Sequence, residues 1–201
     1  MDLKRIEILE KATAVFLRCG IKSVTMDDMA KELSMSKKTL YNYFKDKNDL
    51  VVQIITSKTE YDQSQCTAVK VETENAIDEL FAISSYVSVM MKNIHPSVFF
   101  DLKKFHPDAF AILHQHKWSF VKKTILENIK RGLKEGLYRE NLNQEVAATV
   151  YVSSTDLISN GEVFAESNLT ADQIFMEIMT FQIHGMANEK GLAYLKTYKN
   201  K

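Results

Sequence analysis

The chain has 201 residues, 45% of them apolar and 26% charged, a balance that suits a folded globular protein and excludes collagen-like or disordered chains. Two prolines and six glycines are too few to punctuate an all-β fold, so an all-α chain is expected. Basic and acidic residues balance at 26 each, so whole-chain charge does not advertise a nucleic-acid partner, and local charge has to be read instead.

The longest uncharged apolar-rich run, Leu80 to Met91, falls well short of the roughly 20 residues of a membrane span. Lys4, Arg5, Glu7, Glu10 and Lys11 interrupt any apolar core of a signal peptide, and a cytoplasmic protein with no membrane partner is expected. Cys19 and Cys66 stand far apart and outside metal-ligand spacing, which points to packed thiols.

Ile8, Leu9, Ala12, Val15, Phe16 and Cys19 recur at helical spacing, predicting a first helix from about Leu3 to Arg18 that stops at Gly20. Thr25, with Asp28 three residues on, marks the capped start of a short second helix carrying Met26, Met29, Ala30 and Leu33. Ser34-Met35-Ser36 breaks that helix, and Ser36 caps a third, in which Leu40 and Phe44 point inward. The outer face is then Lys37, Lys38, Thr39, Asn42 and Tyr43; Tyr41 is open between packing beside Leu40 and contact with a partner. From Ser34 to Asn48, Lys37, Lys38, Lys45 and Lys47 stand against Asp46 alone, a local excess suited to an anionic partner.

A longer helix carrying Leu50, Val51, Ile54 and Ile55 follows, linking residues 1–47 to residues 48–201. Further helices are predicted at about 76–94, 108–134, 143–165 and 170–188, with a short one before Pro107, for about nine or ten in all. His95-Pro96 and His106-Pro107 are breakpoints, and their histidines are expected at the surface or as caps.

A short helix, a tight turn and a second helix with a polar, basic outer face are the parts of a helix-turn-helix, and residues 26–44 supply them. Lys37 and Lys38 suit guanine acceptors or phosphates, Thr39 a thymine methyl or phosphate, and Asn42 base or backbone. The run Ile8-Leu9-Glu10 through Phe16, with Gly20, Thr25, Met29-Ala30, Ser36, Thr39-Leu40-Tyr41-Asn42-Tyr43-Phe44, Lys47 and Leu50, closely resembles the N-terminal signature of the tetracycline-repressor (TetR) family. The resemblance covers about a quarter of the chain. It implies phosphate contacts at Thr25, Tyr41, Tyr43 and Lys47, with Lys37, Lys38 and Thr39 in the major groove. Lys38 stands where glycine or alanine is frequent, so the base preference cannot be carried over.

For residues 48–201 the resemblance implies a ligand-sensing and dimerising domain. Met91, Phe99, Phe100, Phe105, Phe110 and Trp118 are candidates to line a cavity for a small apolar or amphipathic effector, although such residues more often form core. Val150, Leu157, Asn160, Phe164, Phe175, Ile178, Met179 and Gln182 are candidates for a helical homodimer interface, which would set two reading helices on a palindromic operator of double-stranded DNA. Asp156 and Asn160, four apart, suit an interfacial hydrogen bond.

No catalytic signature, glycine-rich phosphate loop or cofactor motif is found, so no catalytic residue and no cofactor is expected and an enzyme is the remotest alternative. His114 and His116, two apart on a helix, point in different directions and cannot pair on a metal. A protein that organises the chromosome without sensing a ligand is the other alternative to a ligand-released repressor.

Overall fold

An apolar stripe of Ile8, Leu9, Ala12, Val15 and Phe16 organises α1 (Leu3–Cys19) and is buried along its length. This computed structural model describes residues 3–92, 94–95, 97–159, 163–164 and 166–198. Its helices fall into two packing units, residues 1–62 with 93–116, and residues 63–92 with 117–201. This packing division is not the functional one expected at residues 1–47 and 48–201, because residues 48–62 and 93–116 pack with the N-terminal helices.

In the first unit α1 ends at Gly20, whose N–H donates to the Phe16 carbonyl at 2.9 Å and whose φ of +79° is the left-handed cap glycine adopts without strain. Helix α2 (Met26–Glu32) closes on Ser34, at φ +53°, and Met35 N–H donates back to Ala30 at 2.9 Å, turning the chain into α3 (Lys37–Tyr43). Next comes α4 (Lys47–Glu72), started by Asp46, whose Oδ1 accepts from Asp49 N–H at 2.9 Å. Helices α6 (Val98–Phe105) and α7 (Pro107–His116) complete this unit. Leu9, Phe16, Met29, Leu40, Phe44, Leu50 and Leu102 share its core. Removing that much apolar surface from water, at about 25 cal/mol per Å², is what holds two seven-residue helices too short to be stable alone.

The second unit contains α5 (Ala76–Lys92), α8 (Lys122–Lys134), α9 (Gln144–Ser153), α10 (Thr155–Ser159), α11 (Ala171–Met186) and α12 (Glu189–Tyr198). Ile77, Leu80, Ile125, Ile129, Tyr151, Phe175, Met179 and Ile183 form its core, with α5 packed along α11. Side-chain caps set the helix starts: Asn75 accepts from Ile77 and Asp78, Asn143 from Val146, and Asn188 from Gly191.

The all-α expectation holds, and the boundaries sharpen it. The helix expected over 108–134 is three pieces, α7, a π-helical turn at Lys117–Val121, and α8. That expected over 143–165 breaks at Ser154, whose Oγ donates to the Tyr151 carbonyl at 2.7 Å, and 160–162 and 165 lie outside the described residues. Helix α12 was not anticipated. Cys19 is exposed and Cys66 only half-buried, so the packed-thiol expectation is corrected for Cys19. Among the described residues no helix is long and apolar enough to cross a membrane.

Candidate nucleic-acid interface

Thr25 and Asp28 satisfy each other at the start of α2. Thr25 Oγ1 accepts from Asp28 N–H and Asp28 Oδ2 accepts from Thr25 N–H, both at 3.1 Å. The Thr25 hydroxyl also donates to Asp28 Oδ2 at 2.6 Å, and this bond, seconded by the one from the Thr25 N–H, holds the exposed Asp28 carboxyl below its ordinary pKa. Ser36 opens α3 the same way, accepting from Thr39 N–H at 3.0 Å, and the Ser36 and Thr39 hydroxyls lie 2.7 Å apart. With Leu40 and Phe44 sealed in the core, the helix must present its opposite side to solvent.

That side carries Lys37, Lys38, Tyr41 and Asn42, all exposed, with Thr39 at the half-buried edge. Lys38 has no ion-pair partner among the described residues. Lys37 Nζ sits 2.7 Å from Asp27 Oδ1 of α2, and this bond raises its pKa. Tyr43 was expected on the outer face, and Tyr41 was open between packing and contact. Tyr41 is 42% exposed, whereas Tyr43 is half-buried against the core with its ring centroid 6.4 Å from that of Phe44. Lys47, at the first turn of α4, is half-buried, and its Nζ donates to the Lys22 carbonyl at 3.2 Å. Burial lowers its pKa, an effect opposed by the nearby carboxylates of Asp101 and Asp28.

Thr25, the α3 face and Lys47 are therefore brought together in one packing unit as two helix starts and one exposed helix face. Sequence reasoning did not single out Asp27, Lys22 or Asp101. Asp101 is buried on α6 and takes N–H bonds from Ile21 at 3.0 Å and Lys22 at 2.8 Å, a contact across 80 and 79 residues of chain that no local pattern announces. His106 was expected at the surface or as a cap, and it is the cap: it closes α6, its N–H donating to the Leu102 carbonyl at 3.0 Å. It is buried, its Nδ1 3.0 Å from Asn48 Oδ1, because the end of α6 packs onto the start of α4. His95 is exposed, its Nδ1 3.0 Å from Ser97 Oγ.

The cavity candidates divide between the units. Phe99, Phe100 and Phe105 stand on α6 and Phe110 on α7, while Met91 is on α5 and Trp118 in the π-helical turn. Phe100 and Phe105 are exposed and meet edge to face at 6.3 Å; Met91 is buried, and Phe99, Phe110 and Trp118 are half-buried. Of the interface candidates, Val150 and Leu157 are exposed and Phe164, Ile178 and Gln182 half-buried, while Asn160 lies outside the described residues. Phe175 and Met179 are corrected to core: both face inward among Leu80, Ile129 and Ile183, on the side of α11 that meets α5. Asp156 pairs with Lys117 at 2.5 Å.

The signature described as bacterial regulatory proteins, tetR family, matches residues 8–54, the segment that holds α1, α2, α3 and the start of α4. The chain is 23% identical over 172 residues to the uncharacterized HTH-type transcriptional regulator YvaF of Bacillus subtilis, covering 84% of this chain and 88% of that one. It is 20% identical over 196 residues to the HTH-type transcriptional repressor KstR2 of Mycobacterium tuberculosis, covering 94% and 96%. The fold matches that of a transcriptional regulator from Saccharomonospora viridis solved with choline, at a TM-score of 0.75, 18% identity and coverage of 94% and 100%. Residues 8–54 therefore carry the helix-turn-helix signature of the tetR family of bacterial regulatory proteins, and along most of its length the chain is similar to HTH-type transcriptional regulators.

Proposed function

We propose that the protein is a repressor that binds a palindromic operator as a homodimer and is released from it by a small apolar or amphipathic molecule. Residues 1–47 read DNA in this scheme, and residues 48–201 sense the effector and dimerise. The observation that carries the reading is α3, capped by Ser36 and anchored by Leu40, with Lys37, Lys38, Tyr41 and Asn42 turned outward. The dimer reading draws support from apolar side chains left exposed on α9, α10 and α11, namely Val146, Val150, Leu157 and Phe181. The effector reading draws on relatives: KstR2 is described as a ketosteroid transcriptional regulator, another neighbour as a fatty acid degradation regulator, and the Saccharomonospora viridis protein binds choline.

Release requires that the effector favour a dimer whose reading helices no longer match the half-site spacing, and a hundredfold loss of operator affinity needs about a hundredfold preference for that state. Genome-wide recovery of DNA bound by the purified protein tests the operator. A few palindromic promoter sites support the repressor, whereas many scattered sites support a chromosome-organising role. Competition of steroid, acyl and quaternary-amine compounds against the recovered duplex tests release, and a compound that saturates the protein without altering duplex affinity overturns it.

A further inference from the structure

The turn at residues 20–24, between α1 and α2, is held from two sides. From α6, Asp101 Oδ2 accepts the N–H groups of Ile21 at 3.0 Å and Lys22 at 2.8 Å, and also the Ser97 hydroxyl at 3.2 Å. From α4, Lys47 Nζ donates to the carbonyl of the same Lys22 at 3.2 Å. The carboxylate is only 3% exposed, so its hydrogen bonds act with little competition from water. Gly20 makes the approach possible: a Cβ there would lie 2.6 Å from Ser97 Oγ, and the residue already needs its φ of +79°.

We propose that Asp101 is a positioning residue for DNA recognition, fixing the turn that delivers Thr25 and holds Lys47 while itself lying outside the family signature at 8–54. The proposal rests on the DNA-binding reading. Thr25 follows Lys22 by three residues, so the orientation of the Ile21 and Lys22 peptides sets where the first turn of α2 meets a phosphate. When Lys47 leaves the Lys22 carbonyl to reach a phosphate, the turn loses one of its two anchors, and Asp101 keeps it in place. Without the carboxylate, the buried Ile21 N–H is orphaned, the partly buried Lys22 N–H loses its acceptor, and the turn moves to find solvent.

The test uses the full chain and a duplex selected by the parent protein from a random library. D101A is expected to weaken binding by about tenfold or more and to lower the salt slope by about one unit, as one phosphate contact is lost. D101N, which keeps a neutral acceptor, is expected to fall between parent and D101A. Amide exchange at Ile21 and Lys22 is expected to accelerate in both variants while exchange in α3 does not. A D101A protein that melts earlier but binds with parental affinity and salt slope has lost only stability and overturns the proposal; should D101A fail to fold, the same readouts on D101N decide. Parent protein that binds no duplex overturns the DNA-binding reading, and this proposal with it.

Discussion

Lys37 of α3 and Asp27 of α2 bridge the helix-turn-helix at 2.7 Å on its exposed side. The bond ties a lysine expected in the groove to a carboxylate that DNA would repel. Binding therefore has to open the pair or tolerate its charge. D27N is expected to tighten binding to the selected duplex by roughly threefold or more at low salt and to steepen the salt slope, because Lys37 is released and a negative charge removed. The pair is exposed, so the melting temperature should hardly move. Unchanged or weaker binding by D27N would place Lys37 outside the contact set.

The tyrosines separate contact from packing. Y41F removes a hydroxyl from a ring that is 42% exposed and should weaken DNA binding several-fold with no change in melting temperature. Y43A removes a half-buried ring packed against Phe44 and should cost about 1–3 kcal/mol of stability. Titration of both variants against one duplex, beside their thermal melts, checks the division. A melting loss confined to Y41F would reverse the assignment.

These contrasts show what was legible in the sequence. The caps at Thr25 and Ser36 and the inward pair Leu40 and Phe44 were readable because each depends on residues three or four apart. The Lys37 and Asp27 pair, the burial of His106 and the Asp101 bonds were not, since each joins residues on different helices. Helix α12 escaped notice because, among the described residues, Leu195 is its one buried hydrophobic side chain, so the usual apolar stripe is thin. It is placed instead by Gly191, where an added Cβ would lie 2.2 Å from the Leu137 carbonyl oxygen.

In the second unit Arg131 binds Glu79 Oε2 at 2.8 Å, Glu135 Oε1 at 2.7 Å and the Thr73 carbonyl at 2.8 Å. Glu79 is fully buried, and its Oε1 has no hydrogen-bond partner among the described residues. R131M would leave that carboxylate uncompensated, at an expected cost of about 3–5 kcal/mol, or about 10 °C in melting temperature for a domain of this size. The double variant R131M/E79L should recover much of the loss. A double variant no more stable than R131M would show that the arginine acts through Thr73 and Glu135 instead.

Acid should weaken the first unit through His106. Burial lowers its pKa and Lys47 adds to the effect, opposed by Asp101; Asn48 donates to Asp108 at 3.3 Å and so offers its Oδ1 as acceptor to the imidazole N–H. His116 is lowered as well, by burial against the opposing charge of Asp62. An unfolded histidine takes up its proton near pH 6.5, about where the folded ones still resist it, so the unfolded chain binds more protons below that pH. Stability is then complete above about pH 7 and falls as pH drops through about 6.5 toward the lowered folded values. H106N keeps a donor for Asn48 and should flatten, without abolishing, the fall in melting temperature between about pH 7.5 and 5.5. A pH profile identical to the parent's would exclude His106 as a source of the acid sensitivity.

The apolar side chains on α9 and α11 bear on dimerisation. Phe181 is 78% exposed and Val150 54%, although Phe175 and Met179 of α11 are sealed in the core, so α11 carries apolar residues on both its inner and outer sides. An outward phenylalanine gains its stabilisation only when covered, and a two-fold interface covers the same residue twice. Glutamate at such a position places two like charges near one axis. F181E and V150E are thus expected to give monomers in sedimentation, with melting temperatures that no longer depend on protein concentration. They should also bind a full palindrome no more tightly than a half-site, because each reading helix then pays its own association cost. Variants that remain dimeric and keep their preference for the palindrome would move the interface to another face of the chain.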